Sequence, residues 1–513
     1  MTSFLGLPVS VLTDSYKAGH YAMYPAAKKM VAYGEFRKGW QGDKADTRFV
    51  AFGLRYFVEQ YLHKRWTKQD VERAELFYKT HNVGFTPYPY PKELFLSFIE
   101  ENDGYMPIRF QALRDGSCAH VHVPVYQITA EGKYSVLATF LETLLTQMWY
   151  PSNVATLSRR SRDLFEAAFD KSVDDAQRFL VDSRLHDFGF RGAAGLESSV
   201  LGGCAHLLSF RGSDTMSACY YAQFELNGGK PVAQSVPATE HSVMTAWPTE
   251  EAAIRNMIKH FGKGIFACVL DSYDYQNCLD NVLPKIKEAQ QAAGGMITMR
   301  PDSGDPKDAV LAGLRAAEKT FGATTNAKGF KVLTGAAVIQ GDGMNYDSIK
   351  QVVDAVLDAK YAASNVAFGM GGGLLQKHNR DSMSFATKLC YIVYEDGSAA
   401  DIMKMPKTDG GKISLPGEME VKRVGGVPTV FPRGAGPADE ADLLEVVYDG
   451  KPCADVKWET FDQMRDRVAR EWSALPKAAN VISDALQTKI DQCVQSKREQ
   501  LAKDAAANGG AAR

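Results

Sequence analysis

The sequence has 513 residues, of which 45% are apolar and 23% are charged, and its 59 Lys and Arg nearly balance its 61 Asp and Glu. This length exceeds one ordinary hydrophobic core, so we expect a globular protein of two or three domains. A formal net charge of -2 excludes a global attraction to nucleic acid or to an anionic membrane, and any affinity for phosphates must come from local cations.

The cysteines and the N-terminus predict a compartment. The eight cysteines are dispersed and include no CxxC pair, which argues against a disulfide framework or a cysteine zinc site. The first residues, MTSFLGLPVSVLTDSYK, lack the basic start and long apolar core of a signal peptide. No apolar run approaches the about 20 residues of a membrane span. We therefore predict a cytoplasmic protein without nucleic-acid or membrane partners.

The first 150 residues mix helical and strand patterns. Residues 11–37 crowd Tyr16, Lys17 and His20 into a polar, aromatic segment, which is either functional or a capped helix start with packed aromatics. Residues 107–130 alternate apolar and polar positions and predict a strand pair. The helical patterns cover 55–64, 68–80, 134–149 and 154–170.

From about residue 180, short apolar runs that end in polar or glycine residues alternate with helical segments such as 308–320 and 347–360. This rhythm predicts a parallel sheet or an α/β barrel, whose active face lies at the carboxyl ends of the strands. The candidate strands are RFLVDSRLHDFGFRG, AHLLSFRGSD, PVAQSVPATE, IFACVLDSYD, GMITMRPDSGD, AVIQGDG and SNVAFGMGGG. Their ends carry Asp187, Arg191, Asp214, Asp271, Arg300, Asp302, Asp342 and 371–373.

The stretch QSVPATEHSVMTAW, 234–247, places His241 beside Glu240 in a run that is otherwise small or apolar. Residues 235–238 resemble a short strand, and a helix is predicted to follow, so His241 would lie at a strand-to-helix junction. The spacing leaves two interpretations open. The histidine is either reactive or simply satisfied within the first turn of a helix.

Three further motifs suit a phosphorylated sugar. The glycines of 369–373 let backbone N–H groups approach a phosphate, and Arg380 and Lys388 downstream add positive charge or form a solvated basic face. The arginine and aspartate of 300–304 suit a polar ring or ribose. The carboxylate within 339–343 suits sugar hydroxyls or a hydrated Mg²⁺. Together they predict a nucleotide or phosphoribosyl ligand.

Beyond residue 385 the pattern becomes hairpin-like. Residues 389–407 contain a D-G turn between apolar runs, and Gly/Pro-rich loops are predicted over 405–440. One or two strands are predicted over 446–458, and helices over 462–472 and 478–505. The last residues, 505–513, are predicted to be frayed.

Eight motifs taken together, in order from near residue 13 to near residue 388, closely resemble the nicotinamide phosphoribosyltransferases, which are type II phosphoribosyltransferases. The motifs are TDSYKAGHY, LHDFGFRG, RGSDT, SVPATEHSVMTAW, DSYD, RPDSGDP, IQGDG and FGMGGGLLQK. The resemblance implies an irregular (β/α) barrel at 151–384 and a smaller α+β domain built from both chain ends, 1–150 and 385–480. Residues 481–513 would form a C-terminal helix and a disordered tail.

The resemblance also implies an activity. A homodimer with active sites at its interface would join nicotinamide to phosphoribosyl pyrophosphate in NAD salvage, giving nicotinamide mononucleotide and pyrophosphate. Mg²⁺ would be the cofactor. ATP would be a co-substrate that phosphorylates a histidine and improves catalysis.

The motifs assign roles to residues. Phe188 and Tyr16 of the partner subunit would sandwich the nicotinamide ring, since stacking suits a flat ring, and Asp214 would accept a hydrogen bond from the carboxamide. Arg191 and Arg300 would line the base and phosphate region. The catalytic set would be His241, the phosphorylated residue, with Asp302, Asp271, which is also the metal ligand, and Glu240. The phosphoribosyl and phosphate set would be Arg37 from across the dimer, Arg191, Ser235, Arg300, Asp302, Gly341, Asp342, Gly371, Gly372, Arg380, Lys388 and Lys404.

Three alternatives remain beside this interpretation. Nicotinate phosphoribosyltransferase is the second hypothesis. It ranks below the nicotinamide enzyme because a carboxylate at Asp214 would attract an amide and repel nicotinate. The others are a non-catalytic binding protein on the same fold and a barrel enzyme for another phosphosugar. Ala386 departs from the serine that members of the family often carry, which predicts one hydroxyl contact fewer to phosphate.

Overall fold

The computed structural model describes residues 6–405 and 413–509, and the chain forms two compact units. We call residues 1–153, 380–458 and 467–513 the terminal unit, and residues 154–379 and 459–466 the barrel unit. The sequence assigned 459–466 to the smaller domain, whereas the structure groups them with the barrel unit. In that unit Asn227 Oδ1 accepts a hydrogen bond from the Asp462 backbone N–H at 3.1 Å.

The elements of the described residues are as follows. The strands are β1 (Ala27–Glu35), β2 (Arg48–Val50), β3 (Ile108–Ala112), β4 (Cys118–His120), β5 (Pro124–Glu131), β6 (Leu185–Asp187), β7 (Gly212–Ser213), β8 (Ile265–Val269), β9 (Met296–Arg300), β10 (Ala323–Thr325), β11 (Lys331–Leu333), β12 (Ala336–Gln340), β13 (Val366–Met370), β14 (Ala386–Tyr394), β15 (Ala399–Asp401), β16 (Met419–Val424), β17 (Val427–Pro432) and β18 (Glu445–Asp449). The α-helices are α1 (Ser15–Gly19), α2 (Leu54–Phe57), α3 (Lys68–Tyr78), α4 (Lys92–Glu101), α5 (Glu142–Thr146), α6 (Trp149–Ser172), α7 (Leu196–Leu207), α8 (Met216–Phe224), α9 (His241–Thr245), α10 (Glu250–Phe261), α11 (Tyr275–Asn277), α12 (Leu283–Ala293), α13 (Pro306–Phe321), α14 (Tyr346–Asp358), α15 (Gly372–Leu375), α16 (Phe461–Ala474) and α17 (Asp484–Gly509).

The terminal unit is built around an antiparallel six-stranded sheet with the order β15-β14-β1-β5-β3-β18. Strands from both ends of the chain therefore lie in one sheet, as the resemblance implied for the α+β domain. The unit that contains this sheet has more residues than the barrel unit, however, so the prediction that it is the smaller domain is wrong. The predicted hairpin after residue 385 is confirmed as β14 and β15. Its D-G turn places Gly397 at a φ of +87°, a conformation that favours glycine.

The structure corrects three predictions in the terminal unit. Residues 134–149 form a 3-10 turn, Gly132–Leu137, and the short helix α5, because this run buries its apolar side chains at successive bends instead of along one helix face. The predicted strand pair 107–130 is three strands, β3 to β5. The predicted loops contain the hairpin β16–β17, whose turn glycines Gly425 and Gly426 have φ of +56° and +85°, as a tight two-residue turn requires.

The C-terminal helix also differs from its prediction. It begins at Asp484 and runs to Gly509, so 505–509, predicted as frayed, are helical, in keeping with the high helix propensity of alanine. Residues 510–513, and 406–412 of the predicted loops, lie outside the described residues. Over 6–405 and 413–509, every helix is too short or too polar to cross a bilayer.

The barrel unit is built on six parallel strands in the order β7-β6-β13-β12-β9-β8. The predicted strand PVAQSVPATE forms only isolated bridges, Gln234 with Gly212 and Ala238 with Ala267. These bridges join the two edge strands of the sheet, β7 and β8, so that the sheet closes into an irregular barrel. Pro237 lacks a backbone N–H, which prevents a continuous ladder through this closing segment.

The barrel helices begin near the predicted residues, and each of the two described next is capped by a polar side chain at its N-terminus. Asp305 accepts a hydrogen bond from the Asp308 N–H at 3.0 Å at the start of α13, and Asn345 accepts from the Ser348 N–H at 3.1 Å at the start of α14. Such caps satisfy backbone donors that a helix leaves unpaired. The predicted helices 308–320 and 347–360 are confirmed within two residues at each end.

Small side chains fill the barrel interior. Ala267, Ile339 and Ala367 from three different strands form one buried cluster, and Val236 and Phe188 pack against it. Because two of the three cluster residues are alanines, the interior has room for an aromatic ring that enters from the active face.

Closure of the barrel depends on Thr239. Its side chain is 3% exposed, its N–H donates to the Ala267 carbonyl at 3.0 Å, and its Oγ1 accepts from the Val269 N–H at 2.9 Å. We expect Thr239→Val to lower the free energy of unfolding by about 1–3 kcal/mol, because it leaves a buried N–H unsatisfied. Urea denaturation measures this change. Thr324→Val, on the exposed strand β10, should change stability by less than about 0.5 kcal/mol.

Candidate active site

A cavity of about 870 Å³ opens at the carboxyl ends of the barrel strands, the face at which α/β barrels carry their chemistry. Its lining residues are Phe188, Phe190, Arg191, Asp214, Thr215, Met216, Ser217, Glu240, His241, Ser242, Val269, Arg300, Asp302, Gly341 and Gly371. Nine of the residues predicted from the sequence therefore meet in one cavity: Phe188, Arg191, Asp214, Glu240, His241, Arg300, Asp302, Gly341 and Gly371.

His241 lies at the first position of α9, directly after the closing segment of the barrel. Its Nε2 is 3.5 Å from Asp302 Oδ2 and 3.9 Å from Asp271 Oδ1, and its Nδ1 is 3.3 Å from Ser272 Oγ. The side chain is 49% exposed. This histidine is therefore no core residue but faces the cavity with two carboxylates beside its ring.

The two carboxylates are fixed by different partners. Asp271 Oδ2 accepts hydrogen bonds from the Asp302 N–H at 3.0 Å and from Ser303 Oγ at 2.6 Å. Asp302 Oδ1 accepts from Arg300 Nη2 at 2.8 Å and Nε at 3.1 Å, a two-pronged contact that holds both side chains in one geometry. A negatively charged pair thus stands beside His241, with one arginine partly compensating it.

Glu240, which was predicted to orient His241 or a metal-bound phosphate, has a partner of its own. Its Oε1 accepts a hydrogen bond from the Ser242 hydroxyl. The ring of His241 instead has Ser272 as a neighbour, a residue to which the sequence assigned no role. The DSYD motif contained it, but a single serine at a strand end carries no signal of its own.

Glycines create the place for the Phe188 ring. A Cβ added at Gly369 would lie 2.0 Å from ring atoms of Phe188, and one at Gly341 would lie 2.9 Å from the ring. The Arg300 guanidinium lies 5.6 Å from the centre of the same ring, within the range of a cation–π contact. Any larger residue at these two glycines would displace the ring from the floor of the cavity.

Asp214 is held at the closing segment of the barrel. Its Oδ1 accepts a hydrogen bond from Ser235 Oγ at 2.6 Å, and its N–H donates to the Asp187 carbonyl at 2.9 Å. Burial raises the pKa of Asp187 to about 6, and its Oδ1 accepts from the Gly189 N–H at 2.7 Å. Asp187 thus supports the loops that present Asp214 and Phe188, a role that the sequence did not indicate.

The glycine-rich loop begins a helix earlier than predicted. Helix α15 starts at Gly372 and not near Leu374. A Cβ at Gly373 would lie 2.4 Å from the Met344 carbonyl oxygen, so this position requires glycine. Four predicted residues lie outside the cavity lining but beside residues that belong to it: Ser235, Asp271, Asp342 and Gly372.

The other predicted residues lie in the terminal unit. Tyr16 is in α1 and is 50% exposed, whereas the Arg37 side chain is 8% exposed and its Nε donates to Glu35 Oε1 at 2.9 Å. Arg380 is 57% exposed, and its Nη2 lies 3.7 Å from Asp381 Oδ1.

Three cations of the terminal unit act on a fourth, Lys388. Burial lowers the pKa of Lys388, and the neighbouring charges of Arg37, Lys404 and Lys17 lower it further against the opposing charge of Glu142. We call Lys17, Arg37, Lys388 and Lys404 the cationic cluster. The sequence assigned a phosphate role to three of them and missed Lys17, which is 4% exposed and paired with Glu142.

The serine-to-alanine departure lies in the same sheet as this cluster. Ala386 is the first residue of β14 and pairs with Glu35 of β1. Its methyl group cannot donate a hydrogen bond to a phosphate, so any anion near this position would be bound by the neighbouring cations alone.

The carboxylates fit a hydrated magnesium ion. Residues 6–405 and 413–509 contain no group of three or more His, Cys, Asp or Glu with the arrangement of a metal site. Mg²⁺ usually keeps several waters, however, and needs only one or two carboxylates together with substrate phosphates. Asp271 Oδ1 is buried and has no hydrogen-bond partner among the described residues, so it is a suitable oxygen ligand beside Asp302.

Comparisons with known proteins match both units. The model of the nicotinate phosphoribosyltransferase (NAPRTase) family matches residues 183–434, and that of the nicotinamide phosphoribosyltransferase N-terminal domain matches residues 8–110. The nicotinamide phosphoribosyltransferase of Xanthomonas campestris pv. campestris is 35% identical over 91% of this chain and 98% of its own. The enzyme of that name from Acinetobacter baylyi is 29% identical over 89% of this chain and 96% of its own.

Two solved structures share the fold. Nicotinate-nucleotide pyrophosphorylase from Pyrococcus furiosus has a TM-score of 0.59 at 15% identity and covers 91% of this chain and 95% of its own. Human nicotinic acid phosphoribosyltransferase has a TM-score of 0.59 at 17% identity and covers 94% of this chain and 100% of its own. With relatives aligned over nearly their whole length, this chain belongs to the nicotinamide phosphoribosyltransferase family, within the type II phosphoribosyltransferases.

Proposed function

We propose that this protein transfers the phosphoribosyl group of phosphoribosyl pyrophosphate to nicotinamide, giving nicotinamide mononucleotide and pyrophosphate in NAD salvage. The observation that carries the proposal is the cavity in which the Phe188 ring, the Asp214 carboxylate and the pair of His241 and Asp302 meet. Relatives named nicotinamide phosphoribosyltransferase over 91% and 89% of this chain support the same activity.

The base would lie against Phe188. Gly341 and Gly369 back this ring, which leaves its other side for stacking with a flat pyridine. Asp214, already fixed by Ser235, would accept a hydrogen bond from the carboxamide NH₂. Tyr16 of the partner subunit would cover the second face of the base, and its 50% exposure is compatible with such a role.

The reaction needs positive charge at the leaving group and negative charge near the sugar. The bond between ribose C1 and a pyrophosphate oxygen breaks, and the lone pair of the pyridine nitrogen forms the new bond to C1, without any proton transfer. Asp302, with Asp342 and the 369–373 glycines, would hold the ribose and its 5′-phosphate. Preorganised carboxylates stabilise the cationic character that develops at C1.

Magnesium would be held by Asp271 and Asp302 together with substrate oxygens. When bound, the ion neutralises charge on the leaving pyrophosphate. Arg191, Arg300 and Arg380 would add donors for the phosphate groups, and Arg37, Lys388 and Lys404 would supply the cations for pyrophosphate or for ATP.

ATP would phosphorylate His241. The γ-phosphorus would pass from the ADP oxygen to a ring nitrogen, so that a P–O bond breaks and a P–N bond forms. The ring of His241 is half exposed, and the carboxylates beside its Nε2 set its orientation. The phosphorylated side chain would then favour binding of the other substrates, with Glu240 and Asp271 beside the phosphoryl group or its metal ion.

We also propose a cytoplasmic homodimer with active sites at the subunit interface. The eight cysteines, all within the described residues, are free thiols, which suits a reducing compartment. The dimer would bring Tyr16 and Arg37 of one protomer to the cavity of its partner.

Nicotinate phosphoribosyltransferase is the second candidate, because the family model over residues 183–434 carries that activity in its description. The Asp214 carboxylate argues against it, since two carboxylates would face each other with a nicotinate bound. Substrate preference therefore separates the two candidates directly.

The first prediction from this proposed function concerns ATP coupling. Purified protein with phosphoribosyl pyrophosphate, Mg²⁺ and nicotinamide should form the mononucleotide, and ATP should stimulate this rate in the wild type but not in His241→Ala. Product formation by chromatography, with and without ATP, measures both. Equal stimulation of the variant would contradict the role of His241, and no turnover of nicotinamide or nicotinate would favour a binding protein.

Substrate choice supplies the second prediction. Asp214→Asn replaces a pure acceptor by an amide that can also donate, so kcat/KM for nicotinamide should fall by roughly tenfold or more while nicotinate becomes a better substrate. Asp354→Asn is the matched control, because it makes the same change at an exposed acid of α14 that pairs with Lys350 at 2.6 Å and lies outside the cavity lining, and it should leave both kcat/KM values unchanged. If the wild type prefers nicotinate, the assigned role of Asp214 is wrong.

Metal dependence supplies the third prediction. Asp271→Asn removes the charge of the buried carboxylate, and the Mg²⁺ concentration for half-maximal rate should rise by roughly tenfold, since Mg²⁺ prefers charged oxygen ligands. Asp274→Asn, three residues further on, alters an exposed acid that caps α11 and should leave this concentration unchanged. An unchanged Mg²⁺ dependence in Asp271→Asn would show that the ion binds elsewhere.

A further inference from the structure

A buried guanidinium in the terminal unit has donors left over. The Arg37 side chain is 8% exposed, and its Nε donates to Glu35 Oε1 at 2.9 Å. Its Nη2 is fully buried and has no hydrogen-bond partner among residues 6–405 and 413–509. Buried donors of this kind are nearly always satisfied, so the orphan nitrogen marks a place where an acceptor binds.

Glu35 fixes the orientation of that guanidinium. Its side chain is 0% exposed, and it also accepts a hydrogen bond from the Tyr33 hydroxyl at 3.3 Å and lies 3.3 Å from His122 Nδ1. Because Tyr33 and His122 contact the Glu35 carboxylate in addition to Arg37, its position on β1 does not depend on Arg37 alone. One nitrogen of the planar guanidinium group is thus tied, and the direction of its remaining donors is set.

The backbone restricts the arginine further. The N–H groups of Arg37 and Lys38 both donate to the Met383 carbonyl, at 3.1 and 3.2 Å. The Cα position and the side-chain direction of Arg37 are therefore both determined before any ligand arrives.

The surroundings of Arg37 favour an anion with more than one charge. Burial lowers the pKa of Lys388, and the positive charges of Arg37, Lys404 and Lys17 lower it further against the opposing charge of Glu142. Glu35 and Glu142 are the carboxylates paired with Arg37 and Lys17. Four cations with two paired carboxylates leave a net positive charge, which suits a polyphosphate.

We propose that Glu35 is a positioning residue that aims the free donors of Arg37 at a pyrophosphate group. It acts through Arg37 and does not touch the ligand. The ligand is free pyrophosphate or the pyrophosphate of phosphoribosyl pyrophosphate, so the assignment to turnover rests on the proposed function.

A double-mutant cycle tests the assignment. Binding of inorganic pyrophosphate by calorimetry and the KM for phosphoribosyl pyrophosphate are measured for the wild type, Glu35→Gln, Arg37→Ala and the double variant. We expect Glu35→Gln alone to weaken pyrophosphate binding and to raise this KM by roughly tenfold, the effect of losing one charge-assisted contact. The KM for nicotinamide should stay within about twofold, because the change concerns the phosphate contacts alone.

In the Arg37→Ala background, Glu35→Gln should have no further effect, because a residue that acts only through Arg37 has nothing left to position. Multiplicative effects of the two substitutions, or unchanged pyrophosphate binding in Glu35→Gln, would overturn the inference. If Glu35→Gln does not fold, Glu35→Asp keeps the charge but shortens its reach, and the same loss of binding is expected.

A second buried pair in the same unit is the matched control. Arg48 Nη2 donates to Asp46 Oδ2 at 2.7 Å, with side chains 6% and 11% exposed. Asp46→Asn removes a carboxylate from a buried arginine outside the cationic cluster and should leave pyrophosphate binding unchanged. If Asp46→Asn weakens binding as much as Glu35→Gln, general destabilisation is the cause and the inference fails.

Pyrophosphate binding also separates this inference from the proposed function. If the wild type binds pyrophosphate with the expected coupling but does not turn over nicotinamide, the inference stands and the proposed function fails. If turnover occurs while Glu35→Gln binds pyrophosphate like the wild type, the proposed function stands and the inference alone is wrong.

Discussion

The irregular closure of the barrel by the segment 234–239 is the constraint on which the cavity depends. This segment bonds to β7 at one end and to β8 at the other, and only a few backbone hydrogen bonds hold it because Pro237 interrupts the ladder. The chain then turns directly into α9, so the same bonds that close the barrel set the position of His241. Ser235 belongs to this segment as well and fixes Asp214. One short, weakly paired stretch therefore orders both the predicted phosphorylation site and the predicted selector of the base.

The second constraint is steric. The floor of the cavity is an aromatic ring seated on glycine backbone, with Gly369 and Gly341 leaving no room for a Cβ. The alanines of the barrel interior likewise occupy little volume. Close packing resists added methyl groups, so under the proposed function these small residues would define where a flat base stacks. The shape of the cavity floor follows from missing side chains as much as from those present.

Charge is divided between the two units. In the barrel unit, Asp271 and Asp302 lie beside His241 with one arginine, while the terminal unit gathers its cations around Glu35 and Glu142. The overall net charge of -2 conceals both arrangements. The proposed reaction, which separates a cationic sugar centre from an anionic leaving group, would need local fields of both signs, and the described residues contain ion pairs of each kind.

The sequence by itself determined the βα rhythm, the strand-end acids and the junction at which His241 lies, because these follow from local periodicity and from residue types that only certain positions accept. The motifs that it shares with its family also indicated Phe188 and Asp214. Only the tertiary structure decided several of the groups that meet: that Ser272 flanks the histidine ring while Glu240 turns to Ser242, that Asp187 supports the loops, and that Lys17 joins the cationic cluster. It also divided residues 134–149 into short helical pieces. Contacts between residues far apart in the chain arise from packing, which leaves no periodic signal in the sequence, and so these partners could be found only in the folded protein.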